Sequence, residues 1–208
     1  MRQLTPICLA AALAAPLAAS AEAPSPVRTA ELSARLYDAG LAARDPLLVI
    51  AAASLRKQIA PEPGARQAEG AAPEPGAPLG WQDMLATAEE LAAGDEALLG
   101  VAGDVRGHAF KGVASGPVYN ISALSSGRTD SYPAERFVGG EYAEVYVEAK
   151  STTDMNLRIY DDKGRLVCSD TDRSHIAYCG WTPQSDGDFV MKVENNGPAA
   201  ATYSLMTN

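Results

Sequence analysis

The 208 residues carry 17 Lys and Arg against 26 Asp and Glu, a net charge of −9, with two His, three Cys and 6% aromatic side chains. Phosphate contact needs clustered Lys and Arg, so this balance argues against nucleic-acid binding, and the same charge disfavours anionic membrane surfaces. Any Ser/His/Asp or Cys/His machinery would have to use His108 or His175, the two histidines of the chain.

Residues 1–21 read as a signal peptide: Arg2 is a positive start, Ile7 to Leu17 is apolar apart from Pro16, and Ala19-Ser20-Ala21 is a small-x-small cleavage site. A bilayer span takes roughly 20 apolar residues, more than this run supplies. Cys8 follows Thr5-Pro6-Ile7, too early and too bulky a context for a lipid anchor. With no later membrane-spanning run, the expectation is a periplasmic or secreted bacterial protein. Removal of residues 1–21 leaves 16 Lys and Arg against 26 Asp and Glu. It also leaves two cysteines, Cys168 and Cys179, and an even count in an oxidising compartment favours a disulfide. Two Cys with only His175 between them do not make a four-ligand zinc site.

The fold class expected is α+β, with helical hairpins over 24–104 and an antiparallel β-sandwich over 105–208. Thr29 can cap a first helix with Glu31 in its first turn and Gly40 at its end. Asp45-Pro46 starts a second, with Leu48, Ala51, Leu55 and Ile59 as its apolar stripe. Residues 60–80 are Pro, Gly, Ala and Glu, with Pro61-Glu62-Pro63-Gly64-Ala65 repeated as Pro73-Glu74-Pro75-Gly76-Ala77, and predict a mobile, disordered loop. Helical pattern resumes at Trp81 and stops at Gly94, after which Asp95 caps a short helix. Leu41-Ala42-Ala43-x-Asp45-x-x-Leu48 matches Leu91-Ala92-Ala93-x-Asp95-x-x-Leu98, so the hairpins read as two copies of one unit. Grooves between such helices are where a protein partner would dock.

Beyond residue 105 the period becomes alternating. Strands are predicted at Val118–Leu124, Ser131–Val138, Tyr142–Ala149, Met155–Tyr160, Leu166–Asp170, Ile176–Trp181, Asp188–Glu194 and Thr202–Thr207, about eight in a jelly-roll-like sandwich. Cys168 and Cys179 fall on consecutive strands, compatible with a bridge across a hairpin. The motifs Phe137-Val138-Gly139-Gly140-Glu141-Tyr142, Asp154 to Asp161, Gly164-Arg165-Leu166-Val167, Trp181 to Phe189, Val193 to Gly197 and Tyr203-Ser204-Leu205 occur in that order. In this order the chain resembles the bacterial pre-peptidase C-terminal domain over roughly residues 117–208. That resemblance implies a non-catalytic β-sandwich with a targeting, polymer-binding or folding-assisting role, and calcium in some relatives. The helical half in place of a protease, and the Cys168–Cys179 pair, depart from the pattern.

For catalysis, no Gly-x-Ser-x-Gly elbow presents a nucleophile, and His175 reads as a turn histidine. For calcium, Asp154, Asp161, Asp162, Asp170 and Asp172 crowd strand ends and could supply oxygen ligands. The run from Asp170 lacks the Gly and Glu of an EF-hand loop at His175 and Trp181, and Asp is common in turns for its backbone hydrogen bonds. For binding, Tyr142, Tyr146 and Tyr160 are candidate surface aromatics. The sequence thus predicts an exported, non-enzymatic protein that engages a protein or an envelope or extracellular polymer. The runner-up is a calcium-dependent accessory or inhibitor of a secreted hydrolase.

Overall fold

The computed structural model describes residues 23–71, 74–109 and 115–208. The predicted signal segment, Pro73 of the second Pro-Glu-Pro-Gly-Ala copy, and part of the Gly107–Gly112 junction lie outside the described residues. The architecture is α+β: four helices, then a two-sheet sandwich.

Helix α1 spans Pro26–Ala43, four residues earlier and three later than the sequence signals suggest. Ser25 rather than Thr29 is its cap, with the Oγ accepting from Arg28 N at 3.0 Å and Pro26 taking a position that needs no N–H. Gly40 is not the stop but the point of closest helix approach: a Cβ there would lie 2.7 Å from Val49 Cγ2. Helix α2, Pro46–Arg56, is capped by Asp45, whose Oδ1 accepts from Leu47 N and Leu48 N. Its buried face is Val49, Ile50, Ala52, Ala53 and Arg56, rotated from the predicted Leu48–Ala51–Leu55 stripe. A helix apolar on nearly every side does not fix its own orientation by periodicity. Helices α3 (Trp81–Ala92) and α4 (Glu96–Gly107) repeat the plan, with Ala93 left-handed at φ 50° where Arg44 has φ 53°, and Asp95 capping α4 as Asp45 caps α2. Lys57 Nζ donates to Val105 O and Arg106 O, satisfying the end of α4, and stands 4.4 Å from the Trp81 ring centre.

The strands are β1 (Ala60–Pro63), β2 (Ser115–Leu124), β3 (Thr129–Ser131), β4 (Glu135–Phe137), β5 (Ala143–Ala149), β6 (Met155–Tyr160), β7 (Leu166–Asp170), β8 (Ile176–Trp181), β9 (Gly187–Asn195) and β10 (Ala201–Thr207). One sheet has the order β1-β2-β10-β5-β8, the other β3-β9-β6-β7 with β4 also paired to β9. The predicted strand over Ser131–Val138 is thus two short strands, and β1 was not foreseen. Inward-facing Val145, Val147, Leu157, Ile159, Met191, Val193 and Leu205 fill the space between the sheets. A polar clasp crosses that space: the Asp130 carboxylate accepts from Ser122 Oγ at 2.9 Å and Tyr203 OH at 2.7 Å, and the Tyr132 and Tyr203 hydroxyls are 2.8 Å apart. Burial pushes the Tyr132 phenol up to about 12.

The predicted mobile loop corrects to an ordered arm. Strand β1 runs parallel to β2, Ala68 is buried in the inter-sheet core, Glu69 N donates to Ser131 O, and Arg66 pairs with Glu135 at 2.7 Å. Small residues suit a slot at the open side of two packed sheets: a Cβ on Gly116 would lie 1.6 Å from Ala60 O. The composition that reads as unable to build a core of its own is therefore suited to completing another.

Cys168 and Cys179 form the disulfide, with Cα atoms 5.9 Å apart. Strand β7 pairs with β6 and β8 with β5, so the bridge links the two sheets rather than the arms of one hairpin.

Candidate binding surface

Every residue of β5 is buried, because its sheet is covered on both sides. Val145 and Val147 face the inter-sheet core, while Glu144, Tyr146 and Glu148 face α1. Tyr146, Ile176 and Met206 pack there against Val27, Ala30 and Ala34 of α1 and against Ile59. At the centre Arg56 of α2 meets Glu148 of β5, with Nη1 to Oε2 at 2.8 Å and Nη2 to Oε1 at 3.2 Å. The same guanidinium donates to Ser33 Oγ, Ala30 O and Leu79 O, which ties both α1 and the Pro-rich arm to one charge. Burial alone would depress the Arg56 pKa; the Glu148 carboxylate and the adjacent Tyr146 outweigh it and hold the pKa above its ordinary value. Tyr146 is therefore removed from the candidate surface set: at 0% exposure it is an interface side chain, its phenol raised by burial and then by Glu148.

The opposite outer face of the molecule, on the second sheet, has no such cover from the helices. Arg158 and Tyr160 point outward from β6, because Leu157 and Ile159 point inward. Register places Lys192 beside Arg158 and Val190 beside Tyr160 on β9, and Ser169 and Leu166 opposite them on β7. Lys192 Nζ stands 5.2 Å from the Tyr160 ring centre, and Arg158 is ion-paired with Glu194. Asn156 on the same face has a buried amide oxygen with no hydrogen-bond partner among the described residues. The result is a fixed grid of one aromatic ring, alternating charges and exposed Leu166 and Val167. Of the predicted tyrosines, Tyr160 belongs to this grid. Tyr142 is 54% exposed at the far end of β5, where its hydroxyl lies 3.4 Å from Tyr178 OH. Lys192, Arg158 and Glu194 are the members not singled out from sequence, although the alternation of Val190, Lys192 and Glu194 with Phe189, Met191 and Val193 was there to show them.

The five aspartates proposed for calcium are not brought together. Asp161 closes the β6–β7 turn, accepting from Lys163 N and Arg165 N and pairing with the Arg165 side chain, which holds its carboxyl below the usual value. Asp162 is its exposed neighbour. Asp170 and Asp172 lie at the other end of β7, where both sit 3.7 Å from the Arg35 guanidinium of α1, and Asp170 also accepts from Tyr178 N. Asp154 is half-buried before β6, its carbonyl accepting from Asn196 N. Among the described residues no three His, Cys, Asp or Glu side chains converge as metal ligands. Turn and ion-pair roles account for Asp161, Asp170 and Asp172, whereas Asp154 Oδ1 is buried with no hydrogen-bond partner among the described residues. His175 Nε2 lies 3.6 Å from Asp38 Oδ1, joining β8 to α1. No helix among the described residues is long and apolar enough to cross a membrane.

No protein-family model matches the chain, and no curated protein matches its sequence. Among solved structures it is similar to the pre-peptidase C-terminal domain of collagenase from Bacillus anthracis, at 13% identity and TM-score 0.36 over 43% of this chain and 88% of that one. It is also similar to a periplasmic inhibitor of g-type lysozyme from Aeromonas hydrophila, at 7% identity and TM-score 0.32 over 48% and 93%. A third similarity is to the C-terminal CBM6 of a marine laminarinase from Zobellia galactanivorans, at 11% identity and TM-score 0.28 over 42% and 79%.

Proposed function

We propose that the chain is an exported, non-catalytic binding protein that engages a protein or an envelope polymer through the outer face of the β3-β9-β6-β7 sheet. One observation carries this reading: the helices seal one face of the sandwich and leave the other with an ordered grid around Tyr160. An aromatic ring flanked by fixed donors and acceptors suits an extended partner, which stacks on the ring and hydrogen-bonds along the strands. The disulfide supports an oxidising compartment. Cys168 and Cys179 are joined to each other, so neither offers a free thiolate as a nucleophile.

Sedimentation with the insoluble envelope fraction of the source cell, and capture from its soluble fraction, separate the polymer and protein forms of the proposal. Tyr160→Ala should release the chain from whichever fraction holds it, whereas Tyr142→Ala should not. Undiminished retention of Tyr160→Ala would remove this face from the account.

A further inference from the structure

A second concavity lies on the other side of the molecule, where α1, the arm and the end of β5 meet, and encloses about 540 Å³. That is the size range of small-ligand sites. Its apolar part is the Tyr37 ring with Leu41, Pro78 and Leu79. These walls are held in place: Tyr37 OH is 3.0 Å from Thr87 Oγ1 of α3, Leu79 O accepts from Arg56 at 3.3 Å, and Ala149 N donates to His175 O at 2.9 Å. Two carboxylates, Asp38 beside Tyr37 and Asp83 at the start of α3, line the helical side; Lys150, His175 and Glu148, whose charge is taken up by Arg56, line the sandwich side.

We propose that this cleft binds a small molecule or chain end that carries a protonated amine on a short apolar skeleton. Asp38 and Asp83 form the anionic side, the Tyr37 ring the apolar floor, and Lys150 favours an anionic group at the ligand's far end. Neither carboxylate is used up by the fold. Asp83 Oδ2 accepts from Gly80 N at 3.2 Å, and its other oxygen makes no hydrogen bond among the described residues. Asp38 meets His175 only at 3.6 Å, beyond hydrogen-bond range. Desolvation, with the nearby Glu148 adding to it, holds the Asp38 carboxyl above its ordinary value against the opposing pull of His175 and Arg35. A carboxylate kept where its charge is under-compensated, beside an aromatic ring in a cleft, is the arrangement that an ammonium group completes. This site is distinct from the Tyr160 face, and its test does not depend on that reading.

The probe is 6-aminohexanoate, which carries an amine and a carboxylate at opposite ends of a short chain, titrated into the intact oxidised protein by calorimetry. N-acetyl-6-aminohexanoate and hexylamine are the comparisons. One 6-aminohexanoate should bind per chain. Acetylation should weaken binding about tenfold or more, the worth of a lost charge-assisted hydrogen bond, and hexylamine should bind less tightly than the zwitterion. Asp38→Asn should keep the fold and lose about tenfold in affinity or more. Leu41→Lys, on the exposed side of α1, should abolish binding by placing a like charge in the cleft, while Tyr160→Ala should leave it unchanged. No binding at the probe's solubility limit, equal affinity for the free and acetylated amines, or unchanged affinity in both cleft variants would overturn the proposal.

Discussion

The two outer faces of the sandwich begin from the same alternating strands and end in opposite environments. On the β1-β2-β10-β5-β8 sheet the outward residues are Tyr146, Ile176, Met206 and the Glu148 carboxylate, and α1 and α2 cover them with small apolar side chains and one arginine. On the β3-β9-β6-β7 sheet the outward residues are Tyr160, Arg158, Lys192 and Glu194, which satisfy one another and need no cover. The helices are therefore part of the sandwich's own packing, held to it by an apolar layer and one buried ion pair. A buried glutamate needs its arginine; a surface grid does not.

That contrast can be broken most severely at the buried pair. Arg56→Leu should leave Glu148 uncompensated and cost about 3–5 kcal/mol, measured by urea unfolding, and Arg56→Leu with Glu148→Leu should recover most of it. The matching lesion on the open face, Arg158→Leu, should cost about 1 kcal/mol or less. Equal losses would erase the distinction between the faces. Next in size is the inter-sheet bridge: Cys168→Ala with Cys179→Ala should lower stability by roughly 3 kcal/mol, read from the same unfolding curves. Ala68→Leu should overfill the slot held by the arm, cost about 1–3 kcal/mol, and raise exchange of the Gly64 and Glu69 amides before it touches α2. The smallest effect is expected at Asp38. Its folded carboxyl titrates above the ordinary value of 3.8, so the folded state binds the extra proton and stability falls as pH rises through that window. Asp38→Asn removes this loss. Its melting temperature should therefore equal the wild type's below the ordinary carboxylate range and match or exceed it at pH 7. A variant clearly less stable at pH 7 would show that the His175 contact dominates instead.

How much of this was legible follows from where the information sits. Strands β6, β7 and β8 begin and end where the alternation places them, because each has one face in the inter-sheet core and a clear turn at either end. Asp45 and Asp95 announce α2 and α4 through local hydrogen bonds that no distant contact alters. The missed features are those decided by distant partners. Tyr146 and Tyr160 are the same residue type at equivalent outward positions, and only the docking of α1 makes one buried and the other surface. Residues 60–71 carry little apolar area of their own, so their order depends on a slot formed some fifty residues later in the chain. Arg56 points to helix docking only once its side of the helix is known to be buried. An arginine on the buried side of Pro46–Arg56 requires a carboxylate, and Glu148 on a strand buried on both faces requires the reverse.

On the proposed function, partner contact falls on the open sheet and not on the helical layer. Hydroxyl-radical footprinting of the intact oxidised chain, free and held on the retaining envelope fraction, tests it directly. Protection should appear at Tyr160 and Leu166, with Tyr142 and the exposed Leu47 of α2 unchanged. Protection confined to Leu47, Leu99 and the helical surface, with Tyr160 as reactive as in the free protein, would contradict it.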